Sequence, residues 1–239
     1  MPKQPPIAII AGARPNFMKV APLVRELARQ KVRHFLVNTG QHFSKNMAAG
    51  FLKEFGLTPQ YTLRPSRASS RRQMHDIKKG LEKIFKKEKP GMVVVVGDVN
   101  STLWSAQVAH KMNIPLAHIE AGLRSFNPKM PEEHNRIETD RLSDMLFVTQ
   151  EEGIKNLRNG GMTKGVYFVG NIIIDTLKMF LKKTKKVSGD YYFCTLHRTE
   201  NVDDKKVFAE IVAALEVISK DATIYLPLHP RTKKMAQKF

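Results

Sequence analysis

The 239-residue chain has one cysteine, Cys194, and one tryptophan, Trp104. A lone cysteine excludes an internal disulfide, so no bridge framework holds this fold, and it suits a reducing cytoplasm. Long apolar runs are missing as well. The N-terminal run over residues 7–11 is too short for a secretory signal core or a membrane span. The expectation is a soluble, cytoplasmic protein with no membrane partner. There is no G-x-G-x-x-G fingerprint, no Walker A loop and no nucleophile elbow, and no set of Cys, His and acids has metal-ligand spacing. The chain is therefore expected to use no cofactor and no metal.

Acidic residues are scarce: 22 Asp and Glu stand against 40 Lys and Arg, a net charge of +18. The imbalance is uneven. Residues 1–90 hold 19 basic and 5 acidic residues, whereas residues 91–180 hold 9 basic and 10 acidic. Pairs such as Lys78-Lys79, Lys86-Lys87 and Lys182-Lys183 read as solvated helix faces. They do not alternate with aromatics, so a nucleic-acid groove is not expected. A positive field of this kind also attracts small anionic substrates.

Hydrophobic residues make up 42% of the chain, enough for a real core. Short apolar runs alternate with amphipathic stretches. Strands are expected over 7–11, 35–37, 92–96, 115–119, 145–148 and 166–169, and helices over 15–29, 69–87, 101–111, 132–142 and 151–159. This alternation means βαβ units and a parallel sheet. A second series follows, with a helix over 172–181, a Lys-rich linker over 182–189, a strand over 191–196, a helix over 205–218 and a strand over 223–226. The expected division is residues 1–170 and 171–239, with a second domain that has too few strands for a complete sheet.

The residues with chemical promise lie at the expected strand ends. Gly12-Ala13-Arg14-Pro15 reads equally as an anion-binding helix start or as a tight turn with Pro15 opening the helix. Asp98 follows one apolar run and Glu120 another. In an open parallel sheet, ligands bind beyond the carboxyl ends of the strands. Asp98 could instead cap the next helix, whereas Glu120 has no such structural explanation. Glu132 and Glu133 after Pro131 suit an ordinary helix start. His197-Arg198 leaves a later strand and could grip a diphosphate, and His229-Pro230-Arg231 repeats the arrangement.

Taken in order, these blocks resemble the UDP-N-acetylglucosamine 2-epimerase family, non-hydrolysing type. The matching residues are Gly12-Ala13-Arg14-Pro15 with Lys19, Thr39-Gly40-Gln41-His42, Gly97-Asp98-Val99-Asn100-Ser101-Thr102 and His118-Ile119-Glu120-Ala121-Gly122-Leu123-Arg124-Ser125. They continue with Pro131-Glu132-Glu133, Asn135-Arg136, Thr139-Asp140, Gly170-Asn171 with Asp175, Leu196-His197-Arg198 with Glu200-Asn201, and His229-Pro230. The resemblance implies a GT-B-like α/β fold of two Rossmann-like domains with parallel sheets, the second incomplete in this chain, and a homodimer. It implies interconversion of UDP-N-acetylglucosamine and UDP-N-acetylmannosamine by elimination of UDP to 2-acetamidoglucal and re-addition. Asp98, Glu120, Glu132 and His197 would be catalytic; Arg14, Lys19, Arg136 and Arg198 would bind substrate. A hydrolysing relative releasing N-acetylmannosamine, or an epimerase of another UDP-2-acetamido sugar, remains an alternative. Asn16 stands where many members carry Glu, and Arg141 where many carry His. The family's Ser-Gly-Gly loop and a later Glu, which grip UDP, have no match here, so little or no turnover is expected from these residues alone.

Overall fold

The computed structural model describes residues 4–41, 45–181, 184 and 187–239, with side chains 45–49 left aside. His42 and half of the expected linker, residues 182, 183, 185 and 186, lie outside the described residues. Two compact units divide between Lys183 and Thr184.

The first unit runs β1 (Ile7–Ala11), α1 (Arg14–Arg29), β2 (His34–Asn38), α2 (Lys45–Glu54), β3 (Tyr61–Thr62), α3 (Ser70–Glu88) and β4 (Met92–Val96). It continues α4 (Asn100–Lys111), β5 (Leu116–Ala121), α5 (Pro131–Leu142), β6 (Met145–Val148), α6 (Glu151–Asn159), β7 (Val166–Phe168) and α7 (Ile172–Leu181). Among the described residues, seven strands form one sheet in the order β3-β2-β1-β4-β5-β6-β7, and every pairing is parallel. The order reverses between β1 and β4, which puts the topological switch point there.

The strands are apolar on both faces because helices cover both. Ala8, Ile10, Val37, Val93 and Val95 pack with Ile77 and Leu81 of α3 and Trp104 of α4. The alternate residues Ile9, Ala11, Leu36, Val94 and Val96 pack with Phe17 and Val20 of α1.

The first unit reaches past the 170/171 boundary expected from the sequence. The reason is α7, which packs on α1: Thr176 is buried and its hydroxyl donates to Met18 O at 2.6 Å. The second unit holds β8 (Tyr191–Phe193), α8 (Thr199–Val202), α9 (Lys205–Ile218), β9 (Thr223–Tyr225) and α10 (Pro230–Lys238). β8 and β9 pair in parallel, and Leu196, Val202 and Phe208 form a small core. The first of these strands stops at Phe193, short of the expected residue 196.

Candidate active site

Three loops converge at the switch point. After β1, Gly12 and Ala13 lead into α1. The buried Asn16 side chain accepts from the Gly12 amide at 3.3 Å and the Ala13 amide at 3.0 Å, and donates to Val96 O at 3.0 Å. It therefore occupies the amides that the anion-binding reading needs, and the turn reading holds for this loop. A glutamate could accept the same two bonds, but, ionised, it could not donate the third. Gly12 is required by close approach, since a Cβ there would stand 2.2 Å from both Ser101 Oγ and Thr39 Oγ1. Arg14, exposed at the start of α1, lies with its guanidinium 4.2 Å from the Phe51 ring centroid.

After β4 comes Gly97, with φ of 69°, and then Asp98. Asp98 does not cap α4, whose N-cap is Val99. Its carboxylate accepts instead from Arg136 Nη2 at 2.6 Å, and its carbonyl accepts from Asn135 Nδ2 at 2.9 Å. Burial works against the Arg136 charge, but the Asp98 and Glu133 carboxylates outweigh it and hold the guanidinium above its ordinary pKa.

Glu120 lies near the end of β5, where the pairing with β6 shifts register between Ile119 and Ala121. Its φ is 70°, left-handed backbone that costs a non-glycine residue about 1–2 kcal/mol. Strict alternation would send its side chain to the face of His118, towards α5. The bulge re-aims it to the α1 side. There it forms a mostly buried ion pair with Lys19. Gly97 lies beside this pair, and a Cβ there would make only ordinary contacts with Lys19 Nζ at 3.4 Å and Glu120 Oε2 at 3.6 Å, so it is the left-handed φ of 69° that favours glycine at this position.

The two acids that open α5 differ. Glu133 is buried and accepts from the Ser125 amide and hydroxyl, both at 2.8 Å, from the Phe126 amide at 3.2 Å and from Arg136 at 3.0 Å. Burial alone would raise its pKa; these donors outweigh burial and hold it below the usual 4.5. Such a carboxyl contributes its full stability above pH 4.5 and loses it as pH falls through the lower native value. In acid titrations followed by circular dichroism, Glu133→Gln is expected to flatten this part of the stability profile. An unchanged slope would show that the carboxylate does not hold the loop. Glu132, half-buried, has no hydrogen bond or ion pair among the described residues.

The fold thus gathers Asp98, Glu120, Lys19 and Arg136 at the tips of β4 and β5. Glu132 lies one turn before Arg136 on α5. His197 and Arg198 belong to the second unit, both exposed. There the His197 ring centroid is 5.6 Å from that of His229, and Arg198 lies 3.9 Å from Glu200. The sequence reading gave no role to Asn16, Asn135, His118 or Asp140. A histidine inside the apolar run of β5 was the available signal, because a buried polar side chain requires partners. No group of three or more His, Cys, Asp or Glu among the described residues could hold a metal ion. No helix among them is long and apolar enough to cross a membrane.

Residues 25–239 match a family model described as UDP-N-acetylglucosamine 2-epimerase. A UDP-N-acetylglucosamine 2-epimerase homolog of Methanococcus maripaludis is 40% identical, over 98% of this chain and 68% of its own length. A UDP-2,3-diacetamido-2,3-dideoxy-D-glucuronate 2-epimerase of Pseudomonas aeruginosa is 39% identical, over 97% of this chain and 69% of its own. Among solved structures, Methanocaldococcus jannaschii UDP-GlcNAc 2-epimerase in complex with UDP-GlcNAc and UDP superposes with a TM-score of 0.83. It is 39% identical, over 98% of this chain and 68% of that one. The chain spans about two thirds of the length of these relatives, and its fold class is GT-B-like α/β.

Proposed function

The chain belongs to the UDP-N-acetylglucosamine 2-epimerase family, and we propose that it carries the catalytic carboxylates for inversion at C2 of a UDP-2-acetamido sugar by the non-hydrolysing route. The observation that carries this reading is the meeting of Asp98, Glu120, Lys19 and Arg136 at the switch point, with the unpartnered Glu132 on the adjoining helix.

The C2 proton is not adjacent to a carbonyl, so direct removal is difficult. In the proposed reaction a carboxylate takes that proton while the C1–O bond to UDP breaks, leaving 2-acetamidoglucal and UDP. UDP then rejoins C1 as a proton is delivered to the other face of C2. Two or more carboxylates around one carbon supply the base and the acid. Glu132 suits proton transfer because no group among the described residues occupies its oxygens; Asp98 and Glu120, each held by a cation, suit orientation of the sugar or the complementary proton transfer. Within the first unit, Arg14 has the chemistry to hold the departing diphosphate. The same reading carries a cytoplasmic homodimer.

The experiment is incubation of the chain with UDP-N-acetylglucosamine in heavy water, followed by NMR. Deuterium at C2 with UDP still attached supports the non-hydrolysing route; free N-acetylmannosamine as main product selects the hydrolysing one. The Pseudomonas relative favours a second substrate class, so UDP-2,3-diacetamido hexuronate belongs in the same assay. Because turnover by these residues alone is expected to be slow, the assay runs at high protein concentration over long incubation; exchange in neither sugar under those conditions overturns the reading for these residues.

A further inference from the structure

A second, fully buried polar cluster lies beneath the carboxylates, and they do not belong to it. His118 Nδ1 lies 2.7 Å from Asp140 Oδ1, and Nε2 lies 2.9 Å from Gly97 O. Asp140 Oδ2 accepts from the Gly122 amide at 3.1 Å and pairs with Arg124 at 2.7 Å. His118 and the Asp140 side chain are wholly excluded from solvent.

We propose that His118 and Asp140 are positioning residues that hold the three carboxylate-bearing segments in register. The proposal rests on the functional reading above. Each bond ends on a segment that carries one of the acids. Gly97 precedes Asp98, and its amide also donates to Ile119 O at 3.0 Å. His118 and Gly122 bracket Glu120 at the bulge. Asp140 stands two turns beyond Glu132 on α5. One imidazole and one carboxylate therefore tie the tip of β4, the tip of β5 and α5 together without touching the crevice.

The chemistry of the ring supports a clamp. Both of its neighbours are acceptors, a carbonyl and a carboxylate already paired with Arg124, so the ring that satisfies both donates from each nitrogen. At zero exposure bulk solvent does not reach the ring to replace a lost bond. Glu120 sits in left-handed backbone between two clamped residues, and such strain persists only where surrounding bonds over-determine it. A merely structural histidine could occupy the core without spanning exactly those three segments; the pattern of partners favours positioning.

The test compares His118→Leu, which loses both bonds, with Asp140→Asn. The asparagine amide can donate to Nδ1 of a neutral ring that still donates to Gly97 O, while its oxygen accepts from Gly122 and Arg124, so every link survives. Turnover is read from C2 deuterium exchange in UDP-N-acetylglucosamine. His118→Leu is expected to lower kcat on the order of a hundredfold with KM within about threefold, and Asp140→Asn to stay within about fivefold of the unsubstituted protein. Unchanged kcat in folded His118→Leu, or equal losses in both variants, overturns the proposal. If His118→Leu does not fold, NMR of the His118 ring nitrogens in the unsubstituted chain decides: both protonated supports the clamp, one bare nitrogen overturns it. If the unsubstituted chain exchanges no C2 proton, the functional reading fails, and the ring spectrum still judges the clamp.

Discussion

Glu132→Gln is expected to slow C2 proton exchange on the order of 10²–10⁴-fold, with a change in stability under about 0.5 kcal/mol. The two effects separate because Glu132 makes no hydrogen bond or ion pair among the described residues. Its neutral isostere removes a proton acceptor but no native contact. The negative charge at the first turn of α5 contributes only a few tenths of a kcal/mol through the helix dipole, and Glu133 remains there to provide it. The amide isostere at Asp98 would remove the charge that Arg136 pairs with, and at Glu120 the charge that Lys19 pairs with, so either variant mixes chemistry with structure. Exchange followed by NMR, alongside thermal unfolding, checks both halves. A stable Glu132→Gln variant that exchanges at the unsubstituted rate removes Glu132 from the proton-transfer steps.

Much of this arrangement is legible in the sequence, for physical reasons. Strands covered on both faces read as continuous apolar runs, so 7–11, 92–96 and 145–148 coincide with β1, β4 and β6. Helices with one apolar stripe read by their period, as over 151–159 and 205–218. The two-residue β3 carries too few residues for any period to register, and α10 is a polar helix on the surface. The position of Asp98 and Glu120 at strand tips follows from topology. Their partners do not. Lys19 meets Glu120 only because a bulge turns the side chain to the opposite face, and nothing in an alternating pattern announces a bulge. Arg136 and Asp98 are 38 residues apart, as are no local signals. The assignment of α7 escapes for a similar reason: its packing on α1 depends on a contact 158 residues distant, which no run of neighbours encodes.

Lys19→Met is expected to destabilise the first unit by about 3–5 kcal/mol, the usual consequence of leaving one partner of a buried ion pair behind. Side-chain exposures of 14% for Lys19 and 10% for Glu120 place the pair close to that limit. Glu120 cannot relieve the loss by swinging outward, because the register shift and its left-handed backbone fix the direction of its side chain. Adding Glu120→Gln to Lys19→Met removes the stranded charge, and the double variant is expected to recover most of the loss. The cycle therefore has a sign as well as a size: the second substitution stabilises in the Lys19→Met background and destabilises in the unsubstituted chain. Urea unfolding of the four proteins measures it. Additive effects would mean that Glu120 reaches solvent when Lys19 is absent, and the pair would then be a surface contact rather than the anchor that holds Glu120 in the crevice.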